Sequence, residues 1–428
     1  MKVLVIGGGG REHALCWSLA RAPEVDEVVC APGNAGIARL ARCAHVKPED
    51  PSAVRALAER EAADLVVVGP EGPLVAGVAD ALREAGITVF GPSAAAARLE
   101  GSKAFAKDVL HQAGVPTGAH WTGTDPDAAK EALEGFAPPY VVKADGLAAG
   151  KGVTVCDSRA EAHAAIDEAL VARAFGEAGA RVVLEEHLAG PELSVFAISD
   201  GKRVALLAPA QDHKRVGEGD TGPNTGGMGA YSPVPIADDA LLERVRREAL
   251  QPTVEAMAAR GTPYQGVLYA GLVLTREGPK VLEYNCRFGD PEAQVILPRL
   301  AGSLAATLRS AARGRLSQTR LPTTDAAAVT VVLAAAGYPG RYEKGARIRG
   351  LESLAAREDV LVFHAGTVKR EGQLLADGGR ILAVTGLGAE LSTARDAAYD
   401  AVDRIHIEGA FCRRDIAAQA IDGAGRAD

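Results

Sequence analysis

The length, composition and charge of the chain indicate an ordinary globular protein and exclude several classes of function. With 428 residues, the chain exceeds what a single hydrophobic core usually organises, so we expect about two to four domains. The formal net charge of −8 argues against a nucleic-acid binder, and no apolar run approaches the roughly 20 residues that a membrane span needs.

The cysteines and the N-terminus indicate a cytoplasmic protein. The six cysteines are scattered and contain no Cys-x-x-Cys pair, so neither a zinc site nor a disulfide framework is expected. The apolar stretch Met1–Ile6 ends in glycines without a small-residue cleavage site. We therefore interpret it as a buried first strand rather than a signal peptide.

The N-terminal region predicts a doubly wound parallel sheet, because apolar strands alternate with alanine-rich helical stretches. In such sheets ligands bind at the carboxyl ends of the strands, and glycine-rich turns follow the predicted strands here. The predicted elements are, approximately, strand Val3–Ile6, helix Arg11–Arg21, strand Glu27–Cys30, helix Ser52–Glu61, strand Leu65–Val68, helix Pro73–Ala85 and strand Thr88–Phe90.

The glycine run Gly7–Gly10 resembles a dinucleotide-binding turn, but its spacing fails. That turn needs glycine or alanine at position 12, where this chain has Glu12. The second strand ends in Cys30-Ala31-Pro32 rather than in the acid that would hold a ribose hydroxyl. We therefore favour a phosphate-bearing small molecule at the helix N-terminus near Arg11.

The middle of the chain predicts a helix, a strand–loop–strand unit and a polar segment. Ser102 is the predicted N-cap of a helix from Lys103 to Ala113. The segment Gln211–Pro233 is glycine-rich without periodicity, which composition alone reads as a disordered loop. The remaining predicted elements are strands Pro138–Lys143 and Val153–Cys156, helix Arg159–Phe175, strand Arg181–Glu185, hairpin strands Gly266–Thr275 and Lys280–Cys286, strands Ala327–Ala334, Val360–His364 and Ile381–Thr385, and helix Leu391–Arg404.

The loop after Lys143 has a composition typical of phosphate binding. The glycines Gly146, Gly150 and Gly152 surround Lys151, but the spacing departs from the P-loop pattern and a strand follows the loop. A strand–loop–strand of this kind can close over phosphate oxygens with its backbone N–H groups. A flexible surface hairpin is the alternative interpretation.

The strand Val281–Cys286 predicts a cation site through its alternation. Leu282, Tyr284 and Cys286 should face a core, while Glu283, Asn285 and Arg287 share the opposite face. A carboxylate and an amide oxygen two residues apart can hold a hard divalent cation beside substrate phosphates. An exposed polar strand face is the alternative.

These features together resemble the ATP-grasp superfamily and, along the whole chain, its glycinamide ribonucleotide synthetase family. The departures are small and fall at Gly9, His187 and Pro191. The segments that carry the resemblance are Met1–Ala14, Ala31–Gly36, Val68–Leu74, Gly101–Ala106, Val142–Val153, Gln211–Val216, Asp220–Pro233, Glu283–Glu292, Tyr338–Gly340 and His364–Thr367.

The resemblance implies a multidomain α/β and α+β fold. A Rossmann-like substrate domain (a pre-ATP-grasp domain) would span residues 1–101. An ATP-grasp domain would span residues 102–322 and include a mobile lid subdomain at about 123–190. A small α+β domain would span residues 323–428, and we expect no further catalytic domain, hence a monofunctional enzyme.

The resemblance also implies the reaction. Glycine is joined to 5-phosphoribosylamine with ATP, giving glycinamide ribonucleotide, ADP and phosphate through glycyl phosphate, in de novo purine (IMP) biosynthesis. The implied cofactor beside ATP is Mg²⁺ or Mn²⁺. The implied partners are these small molecules only, with no nucleic acid and no membrane, and the protein is expected to be a cytoplasmic monomer.

The residues that match the family fall into sets by implied role. The implied metal ligands are Glu283 and Asn285, and the implied catalytic residues are Arg287, Lys143, Lys214 and Asp212. ATP would be bound by Lys103, Lys143, Gly146, Gly150, Lys151, Gly152, Glu185, Glu186, Leu188 and Glu192. The other substrates would be bound by Gly8, Gly10, Arg11, Glu12, Asn34, Glu71, Asp212, Lys214, Arg215, Asp220, Asn224, Gly226, Gly227, Met228, Arg287, Gly289 and Asp290.

Several points stay open at this stage. Either Asp212 or Asp220 could hold the glycine ammonium group, and Asp290 and Glu292 have no assigned role. His13 and His213 are candidate acid–base residues, although a single histidine is more often structural. The rival functions are another ATP-grasp ligase or carboxylase, and a non-catalytic nucleotide-binding regulator.

Overall fold

The N-terminal layer of the fold is a parallel sheet flanked by helices. The computed structural model of the chain describes residues 1–147 and 152–423. The elements of this layer are β1 (Lys2–Gly7), α1 (Gly10–Ala20), β2 (Glu27–Pro32), β3 (Arg42–Cys43), α2 (Pro51–Glu61), β4 (Leu65–Val68), α3 (Glu71–Val75), α4 (Val78–Glu84), β5 (Val89–Phe90) and α5 (Ala94–Gly101).

The strand order of this sheet is β3-β2-β1-β4-β5, with parallel pairing throughout. The order reverses at β1, which confirms the predicted doubly wound sheet and places its carboxyl edge as a ligand crevice. The single helix predicted over Pro73–Ala85 was wrong. Gly77 has a φ of +89°, a conformation that interrupts a helix and splits this stretch into α3 and α4.

A second layer is a small sheet with its own core. Its elements are α6 (Lys103–Gln112), β6 (His120–Gly123), α7 (Pro126–Ala132), β7 (Tyr140–Ala144), β8 (Val153–Cys156), α8 (Arg159–Leu170) and β9 (Val182–Glu186). The strand order is β6-β9-β7-β8, and an apolar cluster separate from the main core lies between this sheet and helices α7 and α8. The predicted N-cap is confirmed, because the Ser102 hydroxyl accepts the N–H of Phe105. Helix α8 ends at Leu170, five residues before the predicted end at Phe175.

The central part of the chain supplies an antiparallel sheet of order β11-β10-β16-β17. Polar residues 211–232, which composition reads as disordered, contribute four short strands instead. The elements here are β10 (Glu192–Asp200), β11 (Val204–Leu206), β12 (Gln211–Asp212), β13 (Arg215–Gly217), β14 (Thr221–Asn224), β15 (Gly229–Ser232), α9 (Asp239–Val245), α10 (Gln251–Ala259), β16 (Gln265–Thr275), β17 (Gly278–Asn285), α11 (Ala293–Ile296) and α12 (Leu304–Ala312).

Strand β17 contains an irregularity that changes the predicted face pattern. Glu283 pairs with Gly271 but Val281 pairs with Leu272, so Leu282 is an extra residue in the ladder. Val281, Tyr284 and Cys286 consequently enter the core, while Leu282 is only partly buried. The prediction that Leu282 faces the core was therefore wrong.

The C-terminal part forms an antiparallel sheet together with strands of the preceding segment. Its elements are β18 (Ala327–Ala334), β19 (Ile348–Arg349), β20 (Val360–His364), β21 (Thr367–Arg370), β22 (Gln373–Ala376), β23 (Arg380–Gly388), α13 (Leu391–Asp403), β24 (His406–Ile407) and α14 (Ala418–Ile421). The sheet order is β12-β15-β18-β23-β20, so strands from residues 211–232 extend the C-terminal sheet. Among the described residues, no helix has both the length and the apolar character that a membrane crossing requires.

Candidate active site

The carboxyl edge of the N-terminal sheet is organised around Glu12. Its Oε2 accepts the N–H of Gly9 at 2.6 Å, and its Oε1 accepts Arg11 Nε at 2.5 Å. A Cβ placed on Gly69 would lie 2.3 Å from Glu12 Oε1, so the carboxylate occupies the space between the ends of β1 and β4. Glu12 thus stands where a dinucleotide-binding turn has glycine or alanine, and its carboxylate caps the N-terminus of helix α1.

Asn34 lies at the same edge but is engaged inside the protein. Its Nδ2 donates to the carbonyls of Gly8 and His364, and its Oδ1 accepts the N–H groups of Gly36 and Ile37. Both of its amide hydrogens and both acceptor lone pairs are thereby used. These contacts favour a structural role, in which Asn34 ties the N-terminal sheet to β20.

The predicted metal ligands lie two residues apart near the end of β17, but in different surroundings. The Glu283 carboxylate opposes the lowering of the Lys103 pKa by burial, and within residues 1–147 and 152–423 it takes part in no ion pair. Asn285 Oδ1 accepts a hydrogen bond from Arg287 Nη2 at 3.1 Å. The described residues contain no cluster of three or more His, Cys, Asp or Glu suited to a metal. Two oxygen ligands with places left for phosphate oxygens fit a hard cation that arrives with ATP.

Arg287 is the centre of a partly buried ion-pair network. Its Nη2 lies 3.1 Å from Glu100 Oε1 and its Nε lies 3.2 Å from Glu71 Oε2. Burial opposes the charge of Arg287, but Glu100 and Glu71 outweigh it and raise the pKa of the guanidinium. Glu71 lies near two arginines, Arg287 and Arg11. Their charges outweigh the effect of burial and hold the pKa of the Glu71 carboxyl below the ordinary value.

Glu100 is a site residue that the sequence did not reveal. It is buried at the end of α5, and its Oε2 accepts both the N–H of Cys286 at 2.8 Å and the Cys286 thiol at 3.0 Å. Burial raises the pKa of the Glu100 carboxyl, against the effect of Arg287. Its position 186 residues before Cys286 leaves no local signal in the sequence.

Three lysines converge where the second sheet meets helix α6. Lys103 Nζ donates to the carbonyls of Ala144 at 3.0 Å and Gly146 at 2.9 Å. Lys143 Nζ lies 2.9 Å from Glu185 Oε1, and Lys107 Nζ lies 2.9 Å from Glu185 Oε2. Burial lowers the pKa of both Lys103 and Lys107. Lys107 is a further residue that the sequence did not reveal.

The loop between β7 and β8, called the flap below, is described at its two ends. β7 and β8 pair antiparallel, with Lys143 opposite Val153, as the predicted strand–loop–strand requires. Gly146 has a φ of +127°, and Gly152 accepts the N–H of Ala144 through its carbonyl at 2.7 Å. Of the predicted flap residues, Gly150 and Lys151 lie outside the described part of the chain.

The predicted ATP-binding residues at the end of β9 turn their side chains in different directions. Glu185 points into the protein toward the lysines, so its carboxylate is not free to face a nucleotide base. Glu186 is exposed, and its carboxylate accepts the N–H of Ala119 at 3.0 Å. Leu188 is partly buried, just beyond the end of β9.

The polar segment of residues 211–229, called the acceptor segment below, places Lys214 between two carboxylates. Its Nζ lies 2.9 Å from Asp212 Oδ1 and also pairs with Glu192 at the start of β10. Burial opposes the charge, but Asp212 and Glu192 raise the pKa of Lys214 well above its ordinary value. Glu192, predicted to bind ATP, therefore contacts Lys214, which was predicted to bind another substrate.

The hairpin β13–β14 is held by the C-terminal segment. Arg413 is buried and donates to Asp220 Oδ1 at 2.7 Å and to the carbonyl of Arg215 at 3.0 Å. Arg215 Nη1 donates in turn to the carbonyl of Gly222 at 2.7 Å, and the Arg215 backbone pairs with Asn224. The predicted substrate residues Arg215, Asp220 and Asn224 are thus brought together in one hairpin.

Arg380 joins the loop at Gly226–Gly227 to the turn at Asp290 that follows β17. Its Nη1 donates to the carbonyls of Gly226, Gly227 and Asp290, and its Nη2 lies 3.3 Å from Asp290 Oδ2. The Asp290 carboxylate also accepts Gln294 Nε2 at 2.7 Å. Burial opposes ionisation of Asp290, but Arg380 and Arg11 hold the pKa of its carboxyl below the ordinary value. Arg380 is a third residue missed from sequence.

The remaining predicted glycines and Met228 line this region closely. A Cβ on Gly10 would lie 2.6 Å from Gln294 Nε2, and one on Gly289 would lie 2.3 Å from Glu292 Oε2. Met228, in the segment of residues 211–229, is fully buried. These positions require small or apolar residues for packing as much as for any ligand.

Glu292 is a buried acid within this network. Its Oε1 accepts the hydroxyl of Tyr269 at 2.7 Å, and Tyr269 contacts Ser194 at 2.9 Å. Burial and the nearby Asp212 raise the pKa of Glu292 to about 7. Both influences favour the protonated form of the Glu292 carboxyl.

The two candidate acid–base histidines are engaged within the fold. His13 Nδ1 accepts the N–H of His364 at 2.7 Å, and burial together with His364 lowers the pKa of His13 to about 3. His213 Nε2 accepts the N–H of Ala417 at 3.2 Å, and burial lowers its pKa as well. Both contacts favour structural roles.

Comparison with solved structures defines the class of fold. The chain is 20% identical to the biotin carboxylase domain of 2-oxoglutarate carboxylase from Hydrogenobacter thermophilus, covering 96% of this chain and 91% of that one with a TM-score of 0.74. At this identity the likeness concerns the fold, that of the ATP-grasp enzymes. A phosphoribosylamine–glycine ligase from Thermotoga maritima matches with a TM-score of 0.86 at 35% identity, covering 97% of this chain and all of that one.

The family models and curated relatives are more specific. The models of the N, ATP-grasp (A) and C domains of phosphoribosylglycinamide synthetase match residues 1–100, 101–293 and 328–419. The chain is 56% identical over 423 residues to a phosphoribosylamine–glycine ligase of Streptomyces coelicolor, covering 98% of this chain and 99% of the relative. The corresponding ligase of Agrobacterium fabrum is 52% identical over 421 residues, with 98% and 99% covered. The chain belongs to the phosphoribosylglycinamide synthetase family.

Proposed function

We propose that the protein joins glycine to 5-phosphoribosylamine with ATP, giving glycinamide ribonucleotide, ADP and phosphate, as a step of purine biosynthesis. The observation that carries the proposal is the full-length agreement with the Streptomyces coelicolor ligase, at 56% identity over 98% of this chain. The arrangement of Glu283, Asn285 and Arg287 beside Lys103 supports it.

The reaction has two steps in this proposal. A glycine carboxylate oxygen attacks the γ-phosphorus of ATP, and the bond to the ADP oxygen breaks to leave glycyl phosphate. The amine nitrogen of phosphoribosylamine then attacks the glycyl carbonyl, the carbon–oxygen bond to phosphate breaks, and the nitrogen loses one proton. Because phosphoryl transfer needs mainly positioning and charge neutralisation, cationic side chains are the main requirement.

The residues divide this work according to their position. Lys103 and Lys143 would neutralise ATP phosphates, and the flap that begins at Gly146 would close over them. Glu283 and Asn285 would hold Mg²⁺ or Mn²⁺, and the bound ion would supply Lewis-acid stabilisation of the charge on the phosphates. Arg287, which is rigidly held by Glu100 and Glu71, would neutralise the glycine carboxylate or the acyl phosphate.

The acceptor would bind between the N-terminal sheet and residues 211–229. Asp212 and Asp220 are both candidates for the glycine ammonium group, and each is already paired with a cation, Asp212 with Lys214 and Asp220 with the buried Arg413. The helix N-terminus at Gly8–Arg11 suits the ribose phosphate. We assign the adenine slot to Glu186 and Leu188, since Glu185 faces the lysines instead.

The proposed setting is a cytoplasmic monomer with a three-part domain organisation near residues 1–101, 102–322 and 323–428. The six free cysteines support a reducing compartment. The shared sheet of β12, β15, β18, β23 and β20 means that the last two parts are joined by strand pairing.

The test is ADP release with each combination of substrates. The protein is incubated with ATP and Mg²⁺, and glycine, phosphoribosylamine and bicarbonate are added singly and together. We expect release only when both glycine and phosphoribosylamine are present. Release that depends on bicarbonate would favour a carboxylase, and binding of ATP without any release would favour a nucleotide-binding regulator.

A further inference from the structure

The buried group formed by Lys107, Glu185 and Lys143 has an unusual charge balance. The three side chains are 3%, 3% and 4% exposed, and both Glu185–lysine distances are 2.9 Å. Two cations thus share one carboxylate, which leaves the group with one excess positive charge. Such an excess is costly in a buried place unless an anion arrives to neutralise it.

Lys107 is also tied to the strand that carries the metal ligands. Its Nζ donates to Thr117 Oγ1 at 2.8 Å, and Thr117 Oγ1 donates to the carbonyl of Val281 at 2.7 Å. Val281 stands two residues before Glu283 on β17. One chain of contacts therefore runs from the lysine of the second sheet, through Glu185 and Lys107, to the metal strand.

We propose that Lys107 is a positioning residue for ATP binding, because it retains the Glu185 carboxylate when Lys143 leaves it for a nucleotide phosphate. The inference rests on the proposed function, in which Lys143 contacts ATP. With Lys107 present, the transfer of Lys143 leaves a neutral Lys107–Glu185 pair behind. Without Lys107, the same transfer would leave a buried carboxylate unpaired, and Lys143 would stay on Glu185.

The experiment measures the affinity for Mg²⁺–ATP by calorimetry in the absence of glycine. In Lys107→Gln the side chain keeps a hydrogen-bond donor for Thr117 but loses the charge, and we expect affinity to fall about tenfold or more. Lys107→Met also removes the charge, and its ATP affinity should fall by a similar factor. Lys130→Met, which removes a lysine of the same layer paired with Asp167 at its surface, is the control and should bind ATP like the wild type.

The double variant Lys107→Met/Glu185→Gln separates charge pairing from simple structural damage. Once the carboxylate is gone, Lys143 has no competing anion, so ATP affinity should return to within about threefold of the wild type. A double variant as weak as Lys107→Met, or wild-type affinity in Lys107→Gln, would overturn the inference. Failure of the wild type to bind ATP would instead overturn the proposed function itself.

Discussion

Arg287 and Glu100 form the central ion pair of the candidate site, with Arg287 Nη2 at 3.1 Å from Glu100 Oε1. The second oxygen of Glu100 accepts the N–H of Cys286. A single carboxylate therefore fixes both the arginine side chain and the backbone next to Asn285. Because the pair is buried, the loss of either partner leaves an uncompensated charge.

Glu100→Gln should lower kcat/KM roughly ten- to hundredfold, equivalent to about 1–3 kcal/mol of lost transition-state stabilisation. The amide cannot neutralise Arg287, which then moves toward Glu71. Steady-state kinetics with all three substrates checks this. Glu84→Gln replaces an exposed glutamate of α4 and should leave the kinetics unchanged. Equal kinetics in Glu100→Gln and Glu84→Gln would show that the ion pair has no influence on turnover.

Glu283→Ala should abolish ADP formation while the fold stays intact, because the metal loses its carboxylate ligand. The matched control is Glu277→Ala in the turn of the same hairpin, where the side chain is 77% exposed and pairs with Lys280. ADP release at limiting Mg²⁺ is the measurement, with circular dichroism to verify folding. Wild-type turnover by Glu283→Ala at limiting metal would disprove the assignment.

Arg380→Met should raise the KM for phosphoribosylamine about tenfold while the KM for ATP stays the same. The reason is that the substitution removes the side chain that joins the backbone at Gly227 to the backbone at Asp290. The comparison variant is Arg370→Met, whose arginine is 65% exposed on the same C-terminal part. Separate titrations of each substrate distinguish the effects. An equal rise in both KM values would indicate general damage instead of a local one.

His13→Asn should flatten the dependence of stability on pH. The pKa of His13 falls from an ordinary 6.5 to about 3 on folding. Between pH 3 and pH 6.5 the imidazole is therefore protonated in the unfolded chain but neutral in the folded protein. Stability is consequently complete above pH 6.5 and decreases as the pH falls toward 3, by up to roughly 1.4 kcal/mol per unit. Asparagine keeps an acceptor for the His364 N–H but does not titrate.

Urea unfolding at about pH 5 and about pH 7 measures this difference. The wild type should lose more stability between the two conditions than His13→Asn does. His45→Asn changes an exposed histidine and should keep the wild-type difference. An identical difference in all three proteins would mean that His13 does not contribute to the acid sensitivity.

Much of the fold was predictable because its signals are local. Alternation of apolar strands and helices, the Ser102 cap and the polar face of Glu283 and Asn285 can all be read within a few residues. The extra residue at Leu282 was not predictable, since a bulge is defined by the partner strand. The strands of residues 211–232 form because distant strands pair with them, which composition does not report.

The site residues that sequence reasoning missed share one property. Glu100, Lys107 and Arg380 contact their functional partners across long separations in the chain, 186 residues in the case of Glu100 and Cys286. Each is a charged residue in a helix or strand, and its type alone does not mark it as part of the site. Only the packed structure reveals that Glu100 contacts Arg287, that Lys107 contacts Glu185 and that Arg380 contacts Asp290.

The most direct test of the account is the fate of a glycine carboxylate oxygen. Glycine labelled with ¹⁸O in its carboxylate is incubated with the protein, ATP, Mg²⁺ and phosphoribosylamine, and the released phosphate is analysed by mass spectrometry. Because the attacking oxygen leaves with the phosphoryl group, we predict one ¹⁸O atom in each phosphate formed. Phosphate without the label, formed at the rate of ADP, would contradict a glycyl-phosphate pathway.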